Sequence, residues 1–201
     1  MARRSDQRTP EEIQALAINA AEYIIATEGL KAISARNVAK HMGYTPRMIY
    51  VVFENLKEIK LRVNDRTLVK LRQSLKDSIL RCRTSETCIK AMANTYYQFA
   101  VDYQPFWTLL FSIHPPGTRI PDWYRERIDS IFKLVESQLP TEYSKRQNAI
   151  IARTLWSSVH GICILSLSDK LAITHSSSAK GMIDSLITNY LAGVQMRQHD
   201  E

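Results

Sequence analysis

Cysteine is scarce and poorly spaced for chemistry. The chain holds three, Cys82, Cys88 and Cys163, odd in number and without a CxxC pair. That pattern excludes a disulfide framework or a zinc site and reads as reduced thiols in a cytoplasmic protein. Glycine (six) and proline (seven) are also few in 201 residues. With long segments of 3.6-residue periodicity between them, this points to an all-α protein. No uninterrupted apolar run reaches the roughly 18 residues of a membrane span. The opening MARRSDQRTPEE has basic residues but no apolar segment behind them, so neither a span nor a signal peptide is expected. GxSxG, HExxH, a phosphate-binding glycine loop and paired carboxylates are all missing, and the five His are scattered. No catalytic residues, metal site or cofactor are expected.

What is present is ordinary globular composition, 45% hydrophobic and 23% charged, with an uneven net charge of +7. Residues 1–83 carry 16 Lys/Arg against 9 Asp/Glu, whereas residues 84–201 carry 11 of each. A basic half joined to a neutral half suggests that one part meets a polyanion. Much of the excess lies along Arg66–Arg83, spread over tens of Å at about 1.5 Å rise per residue. Residues 1–62 alone come to 10 minus 7, or +3. The charge is suggestive and no more.

Thr9-Pro10-Glu11-Glu12 reads as a capping box opening a first helix, with a buried stripe of Ile13, Leu16, Ala17, Ala20 and Ile24. Gly29 ends it. Ser34 caps a second helix whose inward residues are Val38, Ala39 and Met42, and Gly43 stops that one. Thr45 caps a third, with Pro46 first and Ile49, Val52 and Phe53 inward. Asn55 with Glu58 opens a fourth helix, its stripe of Leu56, Ile59, Val63, Leu71, Leu75 and Ile79 running to about Arg81. A helix broken at glycine and restarted within a few residues is a helix-turn-helix, and Tyr44 would fill the space between the two helices. Arg47 then stands where it could reach a guanine edge, and Tyr50, one turn on, places a hydroxyl at phosphate height. A small three-helix core with solvated Arg and Tyr fits the same spacing.

The run Ser34, Val38-Ala39, Gly43-Tyr44-Thr45, Ile49-Tyr50, Phe53 and Asn55 closely resembles the DNA-binding domain of the tetracycline-repressor (TetR) family of bacterial regulators. The match covers roughly residues 9–62, and length and helix order agree with it. The resemblance implies an N-terminal DNA-binding domain (9–62) and a helical effector-binding and dimerisation domain (63–201). It implies Ser34, Arg36, Thr45, Pro46, Arg47, Tyr50 and Lys57 as the DNA-facing residues. Leu56 stands where the family often carries a phosphate-binding Lys, with Lys57 one position later. Met48 replaces a residue that is usually small. Arg3, Arg4 and Arg8 precede the first helix, either as a DNA-reaching arm or as a solubilising tail.

In residues 84–201 the conspicuous feature is aromatic clustering. Of 17 Phe, Trp and Tyr, nine lie from Tyr96 to Tyr124, with helix breaks expected at Gln104-Pro105 and at His114-Pro115-Pro116-Gly117. An apolar effector pocket is expected among Tyr103, Trp107, Phe111, Trp123 and Trp156, with His114 or His160 as a polar contact. The same rings would also serve a core. WSSVHG (156–161) is similar to the Trp…His-Gly signature of the WHG subgroup of TetR C-terminal domains. Trp156 and His160 share a helical face, and mid-helix Gly161 suggests a close backbone contact. A last helix, capped by Ser177 or Ser178 and running to about Gln198, carries a wide apolar arc that includes Met182, Leu186, Tyr190 and Leu191. With the 149–168 helix it would form the interface of a homodimer. The function expected is a ligand-responsive repressor that binds a near-palindromic double-stranded operator as a dimer and takes a small apolar or aromatic effector, with no membrane partner. An effector-independent activator or architectural protein, or an enzyme carrying a helix-turn-helix, stand as alternatives.

Overall fold

The computed structural model describes residues 8–112, 120–173 and 178–199. Among the described residues the regular structure is helical, with no strand, in agreement with the all-α reading. The helices are α1 (Pro10–Glu28), α2 (Ala35–Met42), α3 (Pro46–Val52), α4 (Leu56–Ser78) and α5 (Ser85–Asp102). They continue with α6 (Gln104–Ser112), α7 (Asp122–Glu136), α8 (Lys145–Leu167), α9 (Lys170–Ile173) and α10 (Ala179–His199). They fall into two compact units, Met1–Thr67 with Pro105–Tyr124, and Leu68–Gln104 with Arg125–Glu201.

The first unit is built on α1. Thr9 and Glu12 close the reciprocal capping box, Glu12 N–H to Thr9 Oγ1 at 3.3 Å and Thr9 N–H to Glu12 Oε2 at 2.8 Å. Ile13, Ala17, Ala20 and Ile24 are buried, and Leu16 is half-buried. Helices α2 and α3 pack on this face and bury Val38, Ala39, Ile49 and Val52. Two side chains fix them there. The Gln14 amide donates to the Val52 carbonyl (2.7 Å), and the Tyr23 ring stacks on His41 with centroids 4.5 Å apart. Between α2 and α3, Gly43 adopts φ 76° and ψ 24°, left-handed backbone that costs an L side chain about 1–2 kcal/mol.

Helix α4 departs from its sequence reading twice. It ends at Ser78, not near Arg81. The Ser78 hydroxyl donates to the Leu75 carbonyl (2.7 Å), and the Leu80 and Cys82 amides take carbonyls three residues back, a tightened turn instead of another helical one. It is also buried on two faces. Beside the expected Ile59, Val63, Leu71 and Leu75 lies a second stripe of Leu61, Asn64 and Leu68. Asn64 is fully buried, and its amide donates to the Leu109 carbonyl of α6 (3.3 Å) and to the Tyr124 hydroxyl of α7 (3.2 Å). On the outer side the Arg66 guanidinium bonds Asn19 (2.6 Å) and Glu22 (2.9 Å) of α1.

In the second unit α5, α8 and α10 pack against one another. Their core is Ile89, Met92, Phe99, Ile151, Leu155, Val159, Cys163, Ile183, Ile187 and Leu191. Thr84 and Thr87 form a capping box at α5, as do Ser144 and Gln147 at α8. At α10 the Ser178 hydroxyl accepts from the Gly181 amide (3.2 Å), while Ser177, the other cap expected, lies outside the described residues. By length and composition α8 could cross a membrane, although its apolar residues are interrupted by Ser, Thr, Arg and His. Six of them (Ile151, Ala152, Leu155, Val159, Ile162 and Cys163) are buried in this unit.

Gly43→Ala should therefore destabilise the α2–α3 turn by about 1–2 kcal/mol through its positive φ. Hydrogen exchange of the α2 and α3 amides should accelerate, and unchanged protection there would show that the turn tolerates a side chain.

Candidate nucleic-acid interface

The turn at Gly43 sets α3 so that one face is consumed by the core and the other is left outside. Ile49 and Val52 are buried, whereas Pro46, Arg47, Tyr50 and Val51 are exposed, Tyr50 by 59% and Val51 by 69%. Arg47, Tyr50 and Val51 stand at i, i+3 and i+4 and so share a side of the helix. Thr45 occupies the N-cap position in extended backbone, but its hydroxyl makes no capping bond. This differs from the expected cap. The Ser34 hydroxyl does cap α2, accepting from the Asn37 amide at 3.2 Å. Arg36 is exposed, while Ser34 and Lys57 are half-exposed.

Ahead of α1, the Arg8 guanidinium donates to the Tyr44 hydroxyl at 2.9 Å, which ties the start of the chain to the turn. Tyr44 itself is half-buried. Arg3 and Arg4 lie outside the described residues. Averaging charge over 62 residues hid a sharper feature. From Gly29 to Phe53 there are four cations (Lys31, Arg36, Lys40 and Arg47) and no Asp or Glu. Both helices of the turn thus present charge of one sign, the electrostatic requirement of a phosphate-binding surface. Counting acids between Glu28 and Glu54 would have found it. Val51 has no place in the sequence reading, which names only Ile49, Val52 and Phe53 as the inward apolar residues there.

The residues expected around an effector divide between the two units. In the first, Trp107 is buried, Phe111 is exposed, and their rings meet edge-on at 5.2 Å. Trp123 is half-buried under the Arg62 guanidinium, which lies 4.6 Å from its centroid. In the second, the Lys70 ammonium sits 3.9 Å over the Tyr103 ring. Trp156 stacks on His160 (5.4 Å, 24°) and meets Phe132 edge-on. His160 Nδ1 is hydrogen-bonded to the Tyr96 hydroxyl at 2.9 Å, and burial lowers the His160 pKa. His114 lies outside the described residues. A groove of about 730 Å³ in the second unit, lined in part by Leu139, Glu142, Tyr143 and Gln195, takes in none of these side chains.

The close contact expected at Gly161 is not made among the described residues, where a Cβ there would meet no atom within 4 Å. On α10, Met182, Leu186 and Tyr190 are half-exposed, and Leu191 is buried with Ile183 and Ile187. Burial pushes the Cys88 thiol up to about 11 and Cys163 up to about 12, so neither is a ready nucleophile near neutral pH. Among the described residues no group of three or more His, Cys, Asp or Glu is placed to hold a metal ion.

Residues 89–190, half of the chain, match the family described as "Tetracyclin repressor-like, C-terminal domain". The chain is 28% identical over 155 residues to YobS of Bacillus subtilis (strain 168), an uncharacterised HTH-type transcriptional regulator, covering 76% of this chain and 78% of that one. Its fold is similar to that of a protein of unknown function from Rhodococcus sp. RHA1 (TM-score 0.73, 15% identity, 96% of this chain and 98% of that one). It is also similar to Thermus thermophilus FadR, a TetR-family transcriptional repressor solved with lauroyl-CoA (TM-score 0.60, 12% identity, 86% and 90%).

The His160 environment carries a pH signature. Its folded pKa lies below the usual 6.5, so the unfolded chain binds the extra proton first. Stability from this group should be complete above about pH 6.5 and fall as pH drops below it. His160→Gln should flatten that slope in thermal melts between pH 7.5 and 5.5, and an unchanged slope would assign it to other groups.

Proposed function

The chain belongs to the tetracycline-repressor (TetR) family of DNA-binding transcriptional regulators, and from that premise we propose that it is a ligand-responsive repressor acting as a homodimer on a near-palindromic operator. The observation that carries this reading is the exposed, cation-flanked face of α3. Arg47 at the start of the helix is suited to a guanine edge in the major groove, and Tyr50, a turn later, to a phosphate. Ser34, Arg36, Thr45, Pro46 and Lys57 complete the DNA-facing set. Residues 9–62 then act as the reading head, and residues 63–201 bind effector and partner subunit. Cytoplasmic placement follows from this role.

Two aromatic groups support an apolar or aromatic effector: Trp107, Phe111 and Trp123 in one unit, and Trp156 with His160 in the other. Thermus thermophilus FadR, of the same fold, is solved with lauroyl-CoA, whose acyl chain is apolar while its CoA part is strongly anionic. Stabilising the DNA-incompetent state would require such an effector to bind it more tightly than the competent one. Trp156, His160 and Gly161 are the residues that would place the second domain in the WHG subgroup.

The dimer reading rests on α8 and α10. Outside the core, α8 presents Ile150, Thr154, Ser157, Gly161, Ile164 and Leu165 along one side. A mid-helix glycine costs about 0.8–1 kcal/mol against Ala. With open space around Gly161 in the single chain, a closely approaching helix of a second copy accounts for it. Met182, Leu186 and Tyr190 of α10 would join that contact, and Leu191 would support it from the core.

Operator selection with purified protein tests the first reading. Arg47→Ala should lower specific affinity by about 1–3 kcal/mol and relax preference at one base pair per half-site. An identical consensus from the variant would remove Arg47 from base reading. For the dimer, Gly161→Leu should leave the fold intact, because a Cβ there meets no described atom within 4 Å, yet yield monomers in light scattering. An unchanged dimer would move the interface elsewhere.

A further inference from the structure

Two adjacent valines of α3 have opposite fates. Val52 is buried to 9% exposure in the first unit, while Val51 is left 69% exposed between Tyr50 and the helix end. Folding gives no reason for Val51. A β-branched residue is a mediocre helix former, and an exposed one contributes little burial. It is nonetheless well placed. Val51 shares a side of the helix with Arg47, and the segment from Gly29 to Phe53 carries cations without a single acid. Beside the Arg47 cation and the Tyr50 hydroxyl, an apolar side chain on that side is suited to meet an apolar group. Within a polyanionic duplex the major groove displays one on its base edges, the C5-methyl of thymine.

We propose that Val51 is a specificity-determining residue that reads a thymine methyl in each operator half-site. The inference rests on the repressor reading above, and it adds a base identity that Arg47 cannot supply. Arg47 forms hydrogen bonds and selects acceptors. Val51 excludes water from a methyl and selects T over C at a position within one helical turn of the Arg47 contact.

The test couples the side chain to the methyl. An operator is first selected by the wild-type protein, and each thymine is then replaced by uracil, which deletes the methyl and leaves base pairing unchanged. At one thymine per half-site the wild type should lose about fourfold in affinity, the factor expected for one buried methyl-sized group. Val51→Ala should bind the thymine operator more weakly and lose less than twofold on the same replacement. Val51→Thr, which keeps the shape and one of the two methyls, should lose an amount between those of the wild type and the Ala variant. Both variants should keep wild-type circular dichroism and thermal stability, because the site is exposed. If an operator is selected but no uracil replacement distinguishes wild type from the two variants, Val51 reads no methyl and the proposal fails while the repressor reading stands. If the wild type selects no operator at all, both fall together.

Discussion

One buried amide organises the first unit. Asn64 of α4 is wholly removed from water, so its two N–H groups must find acceptors inside the protein or cost on the order of 1–3 kcal/mol. It places them on a backbone carbonyl of α6 and on the hydroxyl of Tyr124 in α7. Burial raises the Tyr124 pKa above its ordinary value. The Asn64 carbonyl oxygen meets no donor among the described residues. Any rotation of α4 against α6 or α7 therefore breaks a desolvated hydrogen bond. The Arg66 contacts to Asn19 and Glu22 bind the same stretch of α4 to α1 on its outer side. Rows of leucine would permit sliding, whereas a buried amide permits one register. The start of α4, α6, the start of α7 and the helix-turn-helix consequently behave as a single block.

Helix α3 obeys a different rule. With seven residues it is too short to be stable alone, so it is held by what borders it: Pro46 at its start, Gly43 in the turn before it, and the Gln14 bond to its last carbonyl. Ile49 and Val52 use up the inward positions. The remaining side chains are then free of structural duty, and their chemistry can be set by what they meet. That division explains how an arginine, a tyrosine and a valine can occupy one exposed side without harm to the fold.

Local chemistry was legible in the sequence, and packing between distant segments was not. The capping box at Thr9, the breaks at Gly43 and Gln104-Pro105 and the stripe of α1 each depend on residues within a turn or two, and each is found in the structure. The end of α4 was misplaced by about a turn because i−3 bonds replace i−4 bonds there, which a hydrophobic pattern does not register. Asn64 escaped notice because one apolar stripe was sought on a helix that is buried on two faces. The aromatic residues show the same limit. Tyr103 and Trp107 are four apart in sequence, yet a new helix begins at Gln104 and they belong to different units. On the side proposed to face DNA, exposure of Arg47 and Tyr50 follows from helical spacing. The acid-free stretch around them was visible in the sequence and was lost by averaging over too long a window.

The outer face of α8 joins two facts that are odd in isolation. The helix is apolar enough in composition to cross a membrane, yet it lies in a helical unit and buries only part of its surface there. It also carries a glycine facing open space. A membrane would explain the apolar surface but not the glycine, because lipid tails conform to any side chain and gain nothing from a missing one. The second copy proposed above accounts for both. It would cover Ile150, Ile164 and Leu165, and the absence of a side chain at Gly161 would let the two backbones approach more closely than larger residues allow. Gly193 on α10, whose Cβ position is equally open, extends the same argument to the neighbouring helix. The open Cβ positions at Gly161 and Gly193 among the described residues thus fit the proposed homodimer, in which a second copy would cover these two helices.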